Sequence, residues 1–140
     1  TLRIPDADYL FGNTDCLFVG LDYDDMSQFA SYAYEKYGED RYRWFPSICQ
    51  HWDFHHTAAL IDACDLTVTV CQTTAHMSAA MGKPTRVLTP KRCAWRYAPM
   101  KDNPEDWYWY SDPAIKLYRS SEEGWGNALE RVVSDIRGLA

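Results

Sequence analysis

A turn between an apolar run and a helix-forming segment carries the residues best suited to bind an anion. The turn is residues 71–74 (CQTT), and Thr73 or Thr74 is predicted to cap the helix that follows at 75–81. The free N–H groups and the dipole of a helix start favour a ligand such as a diphosphate. His76, one turn in, could donate a further hydrogen bond to a phosphate oxygen. An ordinary capped helix with a buried histidine fits the same residues, so the alternative stays open.

The turn lacks the glycine patterns of two common phosphate-binding motifs. It has neither the glycine-rich stretch and Lys-Ser/Thr pair of a Walker A loop nor a GxGxxG dinucleotide fingerprint. Any anion site here therefore depends on the helix start and its hydroxyls.

A metal site is the first competing interpretation. Cys49, His51, His55 and His56 form a C-x-H-x₃-H-H cluster. Structural zinc sites favour paired C-x₂₋₄-C and H-x₃₋₅-H hooks, which this spacing does not supply. If Asp53 caps a helix, the last two histidines lie in its first turn and are predicted to be solvated. The spacing therefore argues against zinc.

A cysteine nucleophile is the second competing interpretation. Cys71 precedes a predicted helix, where a thiol pKa is lowered, and His76 follows closely in the sequence. The sequence offers no recognisable third orienting group and no oxyanion motif. Nucleophilic catalysis is therefore disfavoured.

Short apolar runs alternate with segments of helical periodicity. The predicted strands are residues 16–21, 42–45, 66–71, 85–89 and 115–118, and the predicted helices are 26–37, 54–64, 75–81 and 125–136. Gly38 and Gly82 are expected to end two of the helices. The acidic pairs Asp24-Asp25 and Glu122-Glu123 are expected to complement helix starts. A long loop spans 90–113, and its aromatic run 107–110 is expected mainly to pack over the sheet edge, with a carbohydrate-binding platform as the alternative.

The alternation predicts a Rossmann-like α/β domain with a parallel sheet and helices on both faces. In such sheets, ligands bind beyond the carboxyl ends of the strands, near helix starts. The turn 71–74 is predicted to lie there.

The composition of the chain argues against several other classes of protein. The chain has 140 residues and a net charge of −6, without a basic run to bind nucleic acid. It contains no apolar stretch of membrane-spanning length and no signal-peptide pattern. Its odd number of cysteines argues against a disulfide framework, and a cytoplasmic location with reduced thiols is expected. These cysteines are Cys16, Cys49, Cys64, Cys71 and Cys93.

Several blocks resemble one bacterial glycosyltransferase family. Residues 53–66 (DFHHTAALIDACDL) look like its helix-to-strand segment, and residues 70–84 (VCQTTAHMSAAMGKP) resemble its donor-site turn and helix. Shorter matches follow in the family's order at 95–97 (WRY), 107–110 (WYWY), 117–119 (LYR) and 124–125 (GW). That family often carries tetratricopeptide repeats and is similar to lipopolysaccharide heptosyltransferases and protein O-GlcNAc transferases.

The resemblance implies a GT-B enzyme, in which two Rossmann-like domains face each other across a cleft. The C-terminal domain of such an enzyme binds a nucleotide-diphosphate sugar without a metal, so no cofactor is expected. The residues that the resemblance assigns to the donor diphosphate are Gln72, Thr73, Thr74, His76 and Arg96. Those assigned to the base and ribose are Trp44, Phe45, Pro46 and Ser47. A salt bridge at the surface, or one that anchors a loop, is an equally good interpretation of Arg96.

The chain also departs from the family. Cys71 stands where many relatives carry Asp, Gln72 where Asn or Thr is common, and Ala79 where Gly is usual. These differences leave the identity of the donor open. No catalytic residue is identified.

Residues 1–140 are expected to form a single nucleotide-sugar-binding domain that lacks its first βα unit and the acceptor domain. By itself the chain is then not a complete enzyme, and its partners are the nucleotide sugar and an acceptor domain upstream or on another chain. The alternative is a standalone noncatalytic α/β module, a relic or a protein-interaction domain. The sequence leaves homodimerisation open.

Overall fold

Helices and parallel strands alternate through most of the chain. The computed structural model describes residues 3–21, 25–49, 51–122 and 124–139. Within them lie the helices α1 (Ile4–Asn13), α2 (Ser27–Tyr37), α3 (Phe54–Ala63), α4 (Thr73–Ala80) and α5 (Gly126–Leu139). The strands are β1 (Phe18–Val19), β2 (Tyr42–Arg43), β3 (Thr67–Val70), β4 (Thr85–Thr89) and β5 (Ile115–Arg119). The predicted α/β class is confirmed.

The strands of the described residues pair in two parallel sheets rather than one. β1 pairs with β2, and β3, β4 and β5 pair in that order. In the larger sheet, Thr67 is aligned with Thr85, and Thr85 with Ile115. All pairs are parallel, as predicted, so the carboxyl ends of β3, β4 and β5 meet at one edge.

Helices cover both faces of the larger sheet. On one face, Leu88 and Tyr118 are buried with α5, and Val68 packs against the same cluster. On the other face, Val87 and Leu117 are buried with α4. The alternation of side chains along each strand sends neighbouring residues to opposite faces. The predicted arrangement of helices is therefore confirmed for this sheet.

One apolar cluster connects the two sheets. It contains Leu10 and Phe11 of α1, Tyr42 of β2 and Leu88 of β4. The Phe11 ring stacks on that of Phe18, with centroids 4.2 Å apart. Helix α1 was not predicted, because its ten residues include Pro5 and Gly12 and bury only two side chains. Pro5 is compatible with the helix since it lies in the first turn.

Two predicted helix boundaries are confirmed. Gly38 follows α2 with φ 79°, a conformation that suits glycine. The Asp53 side chain accepts a hydrogen bond from the His56 N–H and caps α3. Asp25 lies near the start of α2 and accepts the Ser27 N–H at 2.9 Å, whereas Asp24 lies outside the described residues.

The predicted N-cap of α4 is wrong by one or two residues. Gln72 is the N-cap, in an extended conformation and without a side-chain cap hydrogen bond, so Thr73 and Thr74 are the first helical residues. The Gln72 amide turns back and donates to Thr69 Oγ1 at 2.9 Å. This bond ties the extended residue Gln72 back to β3, and the helix begins directly after it.

Two further findings concern the position of Glu122 and the length and apolar character of the helices. Glu122 forms an ion pair with Lys91 instead of lying at the start of α5, which begins at Gly126, and Glu123 is outside the described residues. None of the described helices combines the length and apolar character needed to cross a membrane.

Candidate functional site

An open cavity of about 320 Å³ lies at the start of α4. Its lining residues are Gln72, Thr73, His76, Arg96 and Tyr97. The cavity lies between the turn that follows β3 and a 3₁₀ turn, Trp95–Tyr97, in the long loop. Four of the five residues assigned to a donor diphosphate from the sequence thus line one cavity. Tyr97 is the addition that sequence reasoning missed.

Hydrogen bonds fix the long loop over α4. The Arg119 guanidinium donates to the carbonyl oxygens of Pro90 and Tyr97, both at 3.2 Å. The Tyr97 hydroxyl donates to the Gln72 carbonyl at 3.3 Å. Arg119, at the end of β5, therefore holds the wall of the cavity in place. No sequence signal identified this role, because the bonds connect residues more than twenty positions apart.

Four aromatic rings surround His76. Its ring centroid lies 5.0 Å from that of Trp107, 5.2 Å from Tyr97, 5.3 Å from Trp109 and 5.9 Å from Tyr110. The Tyr110 hydroxyl is 3.2 Å from Nδ1. The rings set the orientation of the imidazole at the cavity wall.

Burial and a neighbouring cation lower the pKa of His76. Burial among the rings has the larger effect, and the positive charge of Arg96 adds to it. Because the ordinary pKa of a histidine is about 6.5, the lowered value makes the ring neutral at pH 7. A neutral imidazole can donate one hydrogen bond and accept another.

Arg96 presents an exposed guanidinium to the cavity. Its Cζ lies 5.5 Å from the centroid of the Tyr97 ring. No carboxylate in the described part of the chain lies within ion-pair distance of this guanidinium. The loop is instead anchored by the Arg96 carbonyl, which accepts the Trp107 indole N–H at 2.6 Å. The cationic group is thus available to a ligand, and a salt bridge is not its role among these residues.

Thr74 lies behind the cavity rather than in its lining. The residue is 2% exposed, and its Oγ1 finds no hydrogen-bond partner among the described residues. Thr73, one position earlier, is exposed and lines the cavity. Of the two predicted hydroxyls, the structure brings the Thr73 hydroxyl to the surface.

The residues assigned to the base and ribose do not line this cavity. Trp44 is half-buried against the cluster that connects the two sheets, and its backbone N–H donates to the Tyr34 hydroxyl at 3.1 Å. Phe45, Pro46 and Ser47 are exposed. The structure therefore does not unite this group with the predicted diphosphate residues.

The structure gives no support to a metal site. Across residues 3–21, 25–49, 51–122 and 124–139, no group of three or more His, Cys, Asp or Glu side chains is arranged to hold a metal ion. His56 instead contacts its helix cap, with Nδ1 2.8 Å from Asp53 Oδ1.

Cys71 is poorly suited to act as a nucleophile. Burial, and to a lesser degree the neighbouring Cys93, raises the pKa of its thiol to about 11. The thiol is therefore protonated at neutral pH, which is the unreactive form. The five cysteines are all free thiols and half-buried.

Comparisons of this chain with models of known protein families, with curated proteins and with solved structures find no match.

Proposed function

We propose that the cavity at the start of α4 binds the diphosphate of a nucleotide sugar, and that the chain is a donor-binding domain of a metal-independent GT-B glycosyltransferase. One observation carries the proposal: an exposed guanidinium without a carboxylate partner among the described residues, that of Arg96, shares a cavity with Thr73 and His76 at a helix start. The resemblance at 53–66 and 70–84 supplies the enzyme class.

The physical case for an anion rests on three contributions. The first turn of α4 leaves backbone N–H groups without intrahelical acceptors, and the helix dipole adds positive potential there. The Thr73 hydroxyl can donate to a phosphate oxygen, and the Arg96 guanidinium can donate twice in a planar fork. These groups suit the tetrahedral oxygens of a diphosphate and require no metal.

In a glycosyl transfer, the same groups would stabilise the leaving diphosphate. Negative charge grows on the diphosphate as the bond to the sugar breaks, so fixed donors at this position lower the barrier. None of the cavity residues is a carboxylate, and His76 is held by aromatic rings on the donor side. The general base that deprotonates the acceptor is then expected to come from the acceptor domain that the resemblance implies.

A second candidate function follows from the exposed aromatic residues of the long loop. Trp95 and Tyr108 are 74% and 67% exposed, respectively. Exposed aromatic side chains are common at protein interfaces, so a noncatalytic interaction module would also use this loop. Nucleotide binding separates the two candidates, because an interaction module has no need of the cation at Arg96.

The proposal is tested by calorimetric titration with inorganic pyrophosphate, UDP, GDP and ADP. Arg96→Gln should weaken pyrophosphate binding at least tenfold, since a hydrogen bond to a charged group contributes about 1.5–3 kcal/mol. Arg92→Gln is the matched control, because Arg92 is exposed in the same loop but does not line the cavity. Equal affinity in both variants, or no binding by the unmodified protein, would reject the proposal.

A further inference from the structure

Two large exposed side chains adjoin the cavity. Trp95 is 74% exposed and Trp109 is 44% exposed. We call this pair the aromatic platform. Trp95 immediately precedes Arg96, and the ring of Trp109 lies 5.3 Å from that of His76. Since Arg96 and His76 both line the cavity, the platform begins where the cavity ends.

The two indoles form a corner. Their centroids are 5.4 Å apart and their planes meet at 73°, so the edge of one ring faces the surface of the other. A flat ring stacked on one indole would therefore present its edge to the second. This geometry offers one ligand ring both an offset-stacked and an edge-to-face contact, the two arrangements that aromatic rings prefer.

The platform is not required to complete the core. Beneath it, Tyr97 and Trp107 are 1% and 0% exposed and stack on each other with centroids 5.1 Å apart. These buried rings pack against α4 and β5 in the second apolar cluster. The loop thus has an inner aromatic layer that packs and an outer one that faces solvent.

The chemistry of the platform identifies the ring that it fits. Indoles offer flat π faces, which a nucleobase matches with a flat π face of its own, whereas a sugar ring is puckered and presents C–H groups. Every nucleobase has a π face, and stacking on an aromatic side chain is worth about 1–3 kcal/mol. Arg96, next to the platform, would hold the phosphates of the same molecule.

We infer that Trp95 and Trp109 stack the nucleobase of a nucleoside diphosphate whose phosphates occupy the cavity at the start of α4. This inference rests on the proposed function, which supplies the diphosphate. It places the base on the long loop rather than at Trp44–Ser47, where the resemblance places it.

The test compares ligands that differ by the base. In the unmodified protein, UDP, GDP or ADP should bind roughly tenfold more tightly than inorganic pyrophosphate, as expected for one stacked base. In Trp95→Ala/Trp109→Ala, this advantage should disappear while pyrophosphate still binds through Thr73, Arg96 and the start of α4, which also shows that the variant is folded. Trp52→Ala is the matched control, because Trp52 is 75% exposed but stacks on His51 instead.

Three results would overturn the inference. The first is an equal affinity of nucleoside diphosphates and pyrophosphate for the unmodified protein. The second is an advantage that persists in the double variant. The third is a loss in the double variant of affinity for a sugar 1-phosphate but not for nucleoside diphosphates, which would assign the platform to the sugar.

Failure of the proposed function can be recognised separately. If neither pyrophosphate nor nucleoside diphosphates bind, the cavity is not a diphosphate site. Uridine, guanosine and adenosine are then titrated into protein labelled with 5-fluorotryptophan. Fluorine shifts confined to Trp95 and Trp109 would keep the platform as a base-stacking surface, and their absence would reject it.

Discussion

Among single residues, His76 and Arg96 show how neighbours decide what a side chain can do. His76 was expected near a phosphate because it lies one turn into a helix, and the structure places it at a cavity wall inside four aromatic rings. All four rings come from the long loop, whose path the sequence does not indicate. The location of His76 follows from local spacing, whereas its lowered pKa follows from tertiary contacts.

The charge state of His76 should respond to Arg96. Arg96→Gln removes a nearby positive charge and leaves the burial unchanged, so the pKa of His76 should rise toward the ordinary value while remaining below it. The measurement is an NMR titration of the imidazole resonances of His76. Arg92→Gln should leave the titration curve in place. An unchanged pKa in Arg96→Gln would mean that burial alone accounts for the shift.

Among elements, the contact between the larger sheet and α5 contains a buried ionic network. Arg86 on β4 is 3% exposed and forms an ion pair with Asp135 on α5. Lys116 on β5 lies 3.1 Å from the same carboxylate. Residues 85–89 were predicted as a strand from apolar and β-branched residues, and nothing in that pattern indicated that a charged residue within it would be buried. The partner on α5 lies 49 positions away.

Asp135→Asn should strongly destabilise the fold. The substitution leaves the buried Arg86 guanidinium without its counterion, and breaking such a pair costs about 3–5 kcal/mol. The free energy of unfolding is measured by urea denaturation followed by circular dichroism. Glu130→Gln on the exposed side of the same helix is the control and should change stability by less than about 0.5 kcal/mol. A small effect at both positions would contradict a structural role for the network.

The effect of Asp135→Asn on the free energy of unfolding is expected to depend on pH. Burial alone would raise the pKa of Asp135, but hydrogen bonds and charges from Arg86 and Lys116 outweigh it, so the pKa is lowered. A carboxyl group whose pKa is lowered by folding stabilises the fold at pH values above its ordinary pKa. This contribution is lost as the pH falls through the lowered pKa. The stability difference between the unmodified protein and Asp135→Asn should therefore be full at pH 7 and shrink in acid below pH of about 4. A constant difference down to pH 2 would contradict this assignment.

At the scale of the whole molecule, one apolar cluster makes the two sheets interdependent. Leu88 in β4 is fully buried and belongs to the same cluster as Phe11 of α1 and Tyr42 of β2. The small β1–β2 sheet has two residues per strand and cannot be stable without this packing. Both parts are then expected to unfold together.

Leu88→Ala should cost about 2–5 kcal/mol, since it opens a cavity in a closely packed core. Tryptophan fluorescence and far-ultraviolet circular dichroism should report the same urea midpoint, because both sheets share the cluster. Leu17→Ala is the control, since Leu17 is 53% exposed. Midpoints that differ between the two probes in the unmodified protein would show that the sheets unfold independently.

Local signals in the sequence are sufficient to predict several elements of this fold. The runs at 67–70 and 85–89, the apolar stripe of α5, the Asp53 cap and the glycine after α2 depend on residues within a few positions of each other. These signals also established the α/β class and placed a helix start at the carboxyl end of β3. Helix α1 was missed because its ten residues bury only two side chains.

The set of side chains that share the site depends on the tertiary structure. This structure brought Arg96 and Tyr97 to a turn more than twenty residues earlier, withdrew Thr74 from the surface, and kept Trp44–Ser47 out of the cavity lining. It also divided the aromatic loop into a buried layer and an exposed layer. The physical reason is that hydrogen bonds such as that from Arg119 to Tyr97, and the packing of Trp107 against His76, join residues distant in the chain. The local spacing of residues in the sequence does not predict such contacts.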